Sequence, residues 1–319
     1  MKLHRIAYML LFFSIISCSN DDKAIDALVE ETERGAVLRN INKVSKDFIH
    51  NNFESAFDIE IEEQDLEDGA LLDFVRLYVA FRDHTSGSND NSVQEIMLRD
   101  IPSSEFVIGP DALPRTTVRV TYQDVVDALS INTLLIEPGD QFSLRMEIHL
   151  TDDRTFDTMD TTASILTDAC FFKSPLRYEI NVIEVISDDL FTGIYSYEVI
   201  TDTNSSNAAI SNQGIVSITV GDLPNVRKTS IIGEGLEFTV AGNNVYPKIY
   251  QSVNLFCIES GPHILSGPND TNFGMIDLND DSLFFLDLDV GFEGWDGTLE
   301  DDNTAVGIPT LYTFKFSKQ

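Results

Sequence analysis

The chain has 319 residues and sets 53 acidic side chains against 21 basic ones, for a formal charge of −32. Such a balance excludes nucleic acid as a partner, because a phosphate backbone demands clustered Lys and Arg, and the same repulsion disfavours acidic polymers and anionic headgroups. With 43% hydrophobic and 10% aromatic residues there is material for packed cores, and at roughly 100 to 200 residues per domain the length predicts two globular units.

In chain order, Met1-Lys2-Leu3-His4-Arg5 is followed by an almost wholly apolar run from Ile6 to Ile16 and then Ser17. A run this short cannot span a bilayer and reads as a signal peptide over residues 1–17. The residues Ser14-Ile15-Ile16-Ser17-Cys18 resemble a bacterial lipobox, with Ile15 where Leu is usual. Cys18 is then the lipidated residue and the mature N-terminus. Its acyl chains, at roughly 0.8 kcal/mol per buried methylene, anchor the protein to outer-membrane lipid. Loss of Lys2 and Arg5 with the signal leaves −34. The following Ser19-Asn20-Asp21-Asp22 resembles the export tags of lipoproteins that Bacteroidota move to the outer face of the outer membrane, which predicts a lipid-anchored, surface-exposed location. Residues 18–34 form a polar, lipidated tether. The most apolar later stretch, Ser282 to Asp289, is short and carries Asp287.

The first globular unit is placed at residues 35–186. In Leu71 to Arg82, Val75, Leu77, Val79 and Phe81 share one face. In Gln141 to Leu150, Phe142, Leu144, Met146, Ile148 and Leu150 do the same. Such alternation marks half-buried strands of an antiparallel sheet. Further strands are predicted at Phe53 to Ile61, Glu95 to Leu98, Thr116 to Thr121 and Tyr178 to Ile186. They are separated by turn signals such as Gly87-Ser88-Asn89-Asp90 and Glu137-Pro138-Gly139-Asp140. A helix is predicted over Tyr122 to Leu129, since Thr121 can cap it and Val125, Val126 and Leu129 fall at helical spacing. Seven or so short strands with regular turns predict an immunoglobulin-like β-sandwich.

The second unit, residues 187–319, carries strand patterns at Gly193 to Ile200, Gly214 to Val220, Lys228 to Ile232, Leu236 to Val240, Val253 to Ile258, Met275 to Asp277, Ser282 to Val290 and Leu311 to Phe316. No long helical pattern occurs there. An all-β chain results, whose second domain is an antiparallel sandwich or a lipocalin-like barrel. Once Cys18 is lipidated, only Cys170 and Cys257 remain. The compartment permits a bridge between them, but each sits in an apolar run, so two buried thiols are expected.

Motifs of catalysis are sparse. There is no Gly-x-Ser-x-Gly elbow, His-Glu-x-x-His helix or phosphate-cradling glycine loop. His50, His84, His149 and His263 are scattered over different elements. A glycosidase needs two carboxylates roughly 5 to 9.5 Å apart, and among 53 acids no pair stands out. Calcium is the one cofactor the residues admit, through Asp280 and Asp281 together with Asp287 and Asp289, which cluster hard oxygen ligands. The alternation of Asp287 and Asp289 with Leu286, Leu288 and Val290 is that of a strand's solvated face, which is the preferred reading of this segment over calcium. For a sugar, which stacks on aromatic faces flanked by carboxylates, the residues pointed to are Trp295 and Asp296, between glycines, with Tyr246 and Tyr250. Trp295 as a plug at one end of the second core is the alternative.

Several stretches together resemble uncharacterised lipoproteins that Bacteroidota carry beside SusC/SusD-like, starch-utilisation-type uptake systems. They are Gly35-Ala36-Val37-Leu38-Arg39, Leu77-Tyr78-Val79-Ala80-Phe81, Gly139-Asp140-Gln141-Phe142, Leu150-Thr151-Asp152-Asp153-Arg154-Thr155-Phe156 and Phe172-Lys173-Ser174-Pro175-Leu176-Arg177-Tyr178, with a looser match at Phe191-Thr192-Gly193-Ile194-Tyr195. The resemblance implies a noncatalytic accessory to a nutrient transporter that binds a glycan or scaffolds the complex. A structural or adhesion module without a small ligand is the alternative, and a secreted glycoside hydrolase the third reading.

Overall fold

Apolar alternation builds the first half of the molecule, seen in a computed structural model that describes residues 35–85, 87, 89–160, 163–166, 172–202, 211–231, 235–249, 251, 264–266, 273–292 and 310–319. Its strands are β1 (Val37–Ser45), β2 (Phe48–Ile49), β3 (Ala56–Gln64), β4 (Leu72–Arg82), β5 (Val93–Pro102), β6 (Val107–Ile108), β7 (Pro114–Thr121), β8 (Gln141–Leu150), β9 (Thr155–Phe156) and β10 (Arg177–Ile183). One sheet runs β1-β3-β7-β6. The other runs β2-β10-β8-β4-β5, with β9 beside β8. Setting aside the short β2 and β9, these are the ABED and GFCC′ orders of an immunoglobulin-like sandwich.

The two sheets close on one core. Val75, Leu77, Val79 and Phe81 of β4 and Phe142, Leu144, Met146 and Ile148 of β8 are fully buried against Phe57, Ile59 and Ile61 of β3 and Val118 of β7. Burial at roughly 25 cal/mol per Å2 of apolar surface makes this the main source of stability. The predicted helix is present as α1 (Tyr122–Leu129). Its capping box joins Thr121 Oγ1 to the Asp124 N–H at 3.1 Å and the Thr121 N–H to the Asp124 carboxylate at 2.8 Å. Tyr122 enters the core stacked on Phe48, with ring centroids 5.0 Å apart.

Among the described residues nine further strands form a single antiparallel sheet: β11 (Gly193–Asp202), β12 (Gln213–Val220), β13 (Val226–Thr229), β14 (Leu236–Ala241), β15 (Asn244–Pro247), β16 (Ile264–Ser266), β17 (Gly274–Met275), β18 (Leu283–Phe292) and β19 (Thr310–Lys318). Their order is β16-β18-β19-β11-β12-β13-β14-β15-β17. The sheet curls nearly closed, for β17 at one end lies so close to β18, second from the other end, that a side chain on Gly274 would overlap the Phe285 carbonyl. Of the two expected architectures the near-closed barrel is thus the one adopted. Its interior is aromatic: Tyr195, Phe238, Phe284, Phe314 and Phe316 are buried, and Phe284 stacks on Phe316 at 4.5 Å. The predicted strand from Val253 to Ile258, and both Cys170 and Cys257, lie outside the described residues.

Both sheet systems belong to one compact unit, Ala36–Gln319, and polar side chains explain how the segment joining them is fixed. Asn225 accepts from the Ile186 N–H at 3.0 Å and donates to the Glu184 carbonyl at 2.7 Å. Arg227, fully buried, donates to the carbonyls of Ser187 at 3.0 Å, Leu190 at 2.8 Å and Val226 at 3.0 Å. Beyond this joint, Ile183, Ala241 and Tyr246 form a small apolar patch with Ile49 and Phe273.

Candidate functional site

Two glycine turns meet where the sandwich touches the barrel. The β14–β15 hairpin turns through Gly242, φ +55°, and a side chain there would overlap the Pro138 carbonyl of the Glu137-Pro138-Gly139-Asp140 turn. The Tyr246 hydroxyl donates to the Gly139 carbonyl, and His84 packs against the rings of Tyr246 and Phe273. Asp140 is buried beneath this contact. It accepts from the N–H groups of Glu137 and His84, at 2.8 and 2.9 Å, and from Thr85 Oγ1 at 2.9 Å. Burial outweighs these donors and pushes its carboxyl up to about 6.

Beside this joint opens a cleft of about 340 Å3, the size of small-ligand sites. Lys43 and Val44 from the end of β1 and Lys46 just beyond it come from the sandwich. Asp222, Leu223, Val226, Glu237, Thr239 and Lys248 come from the barrel. Strand register explains why these side chains face the same way. Val226 pairs with Thr239 and Lys228 with Glu237, so all four share the outer face of β13 and β14, while Arg227 and Phe238 point inward. The Lys248 N–H donates to the Glu237 carbonyl at 2.9 Å, which places Lys248 across from Glu237 on the next strand.

The charges form a row. Glu237 lies between Lys228 Nζ at 3.0 Å and Lys248 Nζ at 3.2 Å, and Lys228 also reaches Asp222 at 2.7 Å. Burial by itself would raise Glu237, but the ammonium groups of Lys248 and Lys228 overcome it and hold the carboxyl below its ordinary range. The Asp222 carboxyl is likewise lowered by its hydrogen bond from Lys228. The same two partners raise Lys228. At neutral pH the row therefore consists of ionised acceptors and protonated donors, the equipment for hydrogen-bonding a ligand.

The residues expected from sequence are distributed differently. Tyr246 is buried at the joint, with its hydroxyl engaged by Gly139 and Asn244, and presents no ring face to solvent. Trp295, Asp296, Tyr250 and Cys18 lie outside the described residues. In the acidic set, the Asp280 carboxylate closes a turn by accepting from the Ser282 N–H at 3.0 Å. Asp281 accepts from the Phe191 N–H at 3.1 Å and from Lys318. Asp287 lies half-buried in β18, between the inward-facing Leu286 and Leu288, and burial raises its carboxyl. Asp289 is two residues further along β18. Among the described residues no group of three or more His, Cys, Asp or Glu side chains converges to hold a metal.

The cleft itself was not visible in the sequence. Its lysines lie at and just past the end of β1 and just past β15, about two hundred positions apart, and only strand register brings them together. The two-residue turn at Gly242-Asn243 was the available signal for the β14–β15 hairpin that carries Lys248. No protein-family model matches the chain, and no curated protein matches it.

Proposed function

We propose that the protein is a noncatalytic lipoprotein of the outer-membrane surface, held by lipidated Cys18, that binds a glycan as an accessory to a SusC/SusD-like uptake system. The observation that carries this reading is the cleft between sandwich and barrel. It has the volume of a ligand site, two modules fixed against each other by Arg227, Asn225 and the Gly139–Gly242 contact, and a wall of charged hydrogen-bonding groups. A pre-formed site of this kind binds without the cost of closing two mobile domains. Glu237, held ionised between two ammonium groups, serves as a hydrogen-bond acceptor for a ligand hydroxyl and not as a general acid.

The test is a glycan array probed with the full chain, wild type and Glu237→Gln in parallel. Retention of a defined set of saccharides that weakens in the variant is expected. A blank array would overturn the glycan reading and favour the adhesion or scaffold alternative, and release of free sugar from a retained saccharide would favour the hydrolase. Labelled palmitate tests the anchor separately: incorporation into the wild type and none into Cys18→Ser is expected, and equal labelling would refute it.

A further inference from the structure

The cleft inverts, over a small area, the charge balance of the molecule. Nine lysines occur in the sequence, and four of them stand here: Lys43, Lys46 and Lys248 in the lining, and Lys228 beside it on Asp222 and Glu237. Three ammonium groups and two carboxylates line the space, in a chain whose formal charge is −32. Both carboxylates are engaged by Lys228, and Glu237 also by Lys248. Two of the lining cations, Lys43 and Lys46, arrive from the sandwich, which supplies no carboxylate to the lining. Lys46 lies 4.0 Å from the neighbouring Asp47 and Lys43 stands 5.9 Å over the Tyr178 ring.

We infer that the cleft takes an acidic saccharide, with a ring carboxylate or sulfate ester seated among Lys43, Lys46 and Lys248. The inference rests on the glycan reading above and narrows it. An ammonium is a compact point charge with three donors, suited to a single anionic group approached from several sides. The rest of the lining fits the rest of such a sugar. Asp222 and Glu237 are ionised acceptors for ring hydroxyls, Thr239 adds a hydroxyl, and Val44 and Leu223 offer apolar surface to the C–H face. A neutral sugar would bring no negative charge to the three ammonium groups of the lining. A simple inorganic anion would leave Asp222, Glu237 and the apolar wall without one. The strong negative field elsewhere on the protein repels long polyanions, so the fit is to a short acidic oligosaccharide or to one acidic residue within a mostly neutral chain.

The experiment titrates the full chain by calorimetry with three probes: an oligogalacturonate, the same oligosaccharide after reduction of its carboxyl groups, and a sulfated oligogalactan. At least one acidic probe should bind about tenfold more tightly than the neutral one, with an affinity that falls as salt rises. Lys43→Gln and Lys248→Gln should each weaken that binding about tenfold, whereas Lys315→Gln, on β19 away from the cleft, should not. Lys43→Gln removes no partner of Glu237, so an unchanged melting temperature separates lost binding from lost fold. Equal affinity for the neutral probe would overturn the acidic inference and leave the glycan reading standing. Acidic binding indifferent to both lysine substitutions would overturn the assignment to the cleft. No binding of any of the three probes by the wild type would remove this inference, whereas the array decides the broader reading.

Discussion

The sandwich and the barrel bury charge in opposite ways. In the sandwich the buried groups are acids: Glu62 is enclosed with Arg39 and Arg115, the latter 2.7 Å away, while Glu63, the next residue, is fully buried and neither of its carboxylate oxygens has a hydrogen-bond partner among the described residues. Among the described residues of the barrel the fully buried charged group is a cation, Arg227, and its hydrogen bonds go to backbone carbonyls. The difference teaches what each charge is for. Burial would raise Glu62, yet the hydrogen bonds from Arg39 and Arg115 prevail and keep it ionised as a clamp between β1, β3 and β7. Glu63 is raised to about 8 by burial and by nearby Asp65, so it is a neutral acid that ties nothing. Arg227 fixes the segment that joins the two modules.

Arg227→Leu should break the contrast most severely. Three hydrogen bonds from a charged donor are lost at once, each worth about 1.5–3 kcal/mol. The carbonyls of Ser187 and Val226 keep the N–H groups of Leu190 and Gly221, so a loss at the lower end of the sum, roughly 3–5 kcal/mol, is expected in chemical denaturation. If the joint matters as described, unfolding of the variant should split into two transitions. A single transition with unchanged midpoint would show that the linker does not depend on Arg227.

Glu63→Gln comes next and acts with the opposite sign. The folded-state pKa of Glu63 lies near 8, above the ordinary 4.5, so its favourable contribution is complete below about pH 4.5 and is lost as pH rises through 8. The slope inside that window is about 1.4 kcal/mol per pH unit. Gln mimics the neutral acid, so the variant should be the more stable of the two at pH 8 and lose its margin towards pH 4.5. Equal stability of variant and wild type across this range would mean that Glu63 is solvated or paired.

The smallest effect sharpens the comparison from outside. Arg119 and Asp58 form an ion pair at 2.7 Å in which the arginine is more than half exposed. Arg119→Ala should cost no more than about 1 kcal/mol by thermal melting. A larger loss would show that exposed pairs, and not only the enclosed Glu62 clamp, hold the sandwich together.

Much of this architecture was legible because it depends on local pattern. The alternation in Leu71 to Arg82 and Gln141 to Leu150 located β4 and β8, and Thr121 announced α1, since period and capping are written within a few residues. β1 escaped because Arg39, Asn40, Asn42 and Lys43 break the apolar pattern, and its partner β3 supplies what the sequence of β1 lacks. β15 escaped because Pro247 ends it after four residues. The cleft was illegible for a deeper reason: a binding wall assembled from Lys43, Glu237 and Lys248 depends on which strands lie side by side, and no short window records that. The same holds for Tyr246, whose aromatic ring suggested a sugar platform and whose neighbours made it part of the joint.

The position of β19 carries a consequence in time. It lies between β18 and β11, and its pairing with β11 joins Tyr195 to Lys318 across more than a hundred residues. β11 must therefore wait with one edge open while the intervening chain is sorted, and contacts of such long range form slowly. The sandwich closes over a similar range, since β10 pairs with β2 across more than 130 residues, but its strands all precede Ser187 and so are synthesised before the barrel begins. The order of events follows: the sandwich folds first and gives the barrel a finished surface to close against, and until β19 arrives the half-built barrel is the species most exposed to edge-to-edge aggregation.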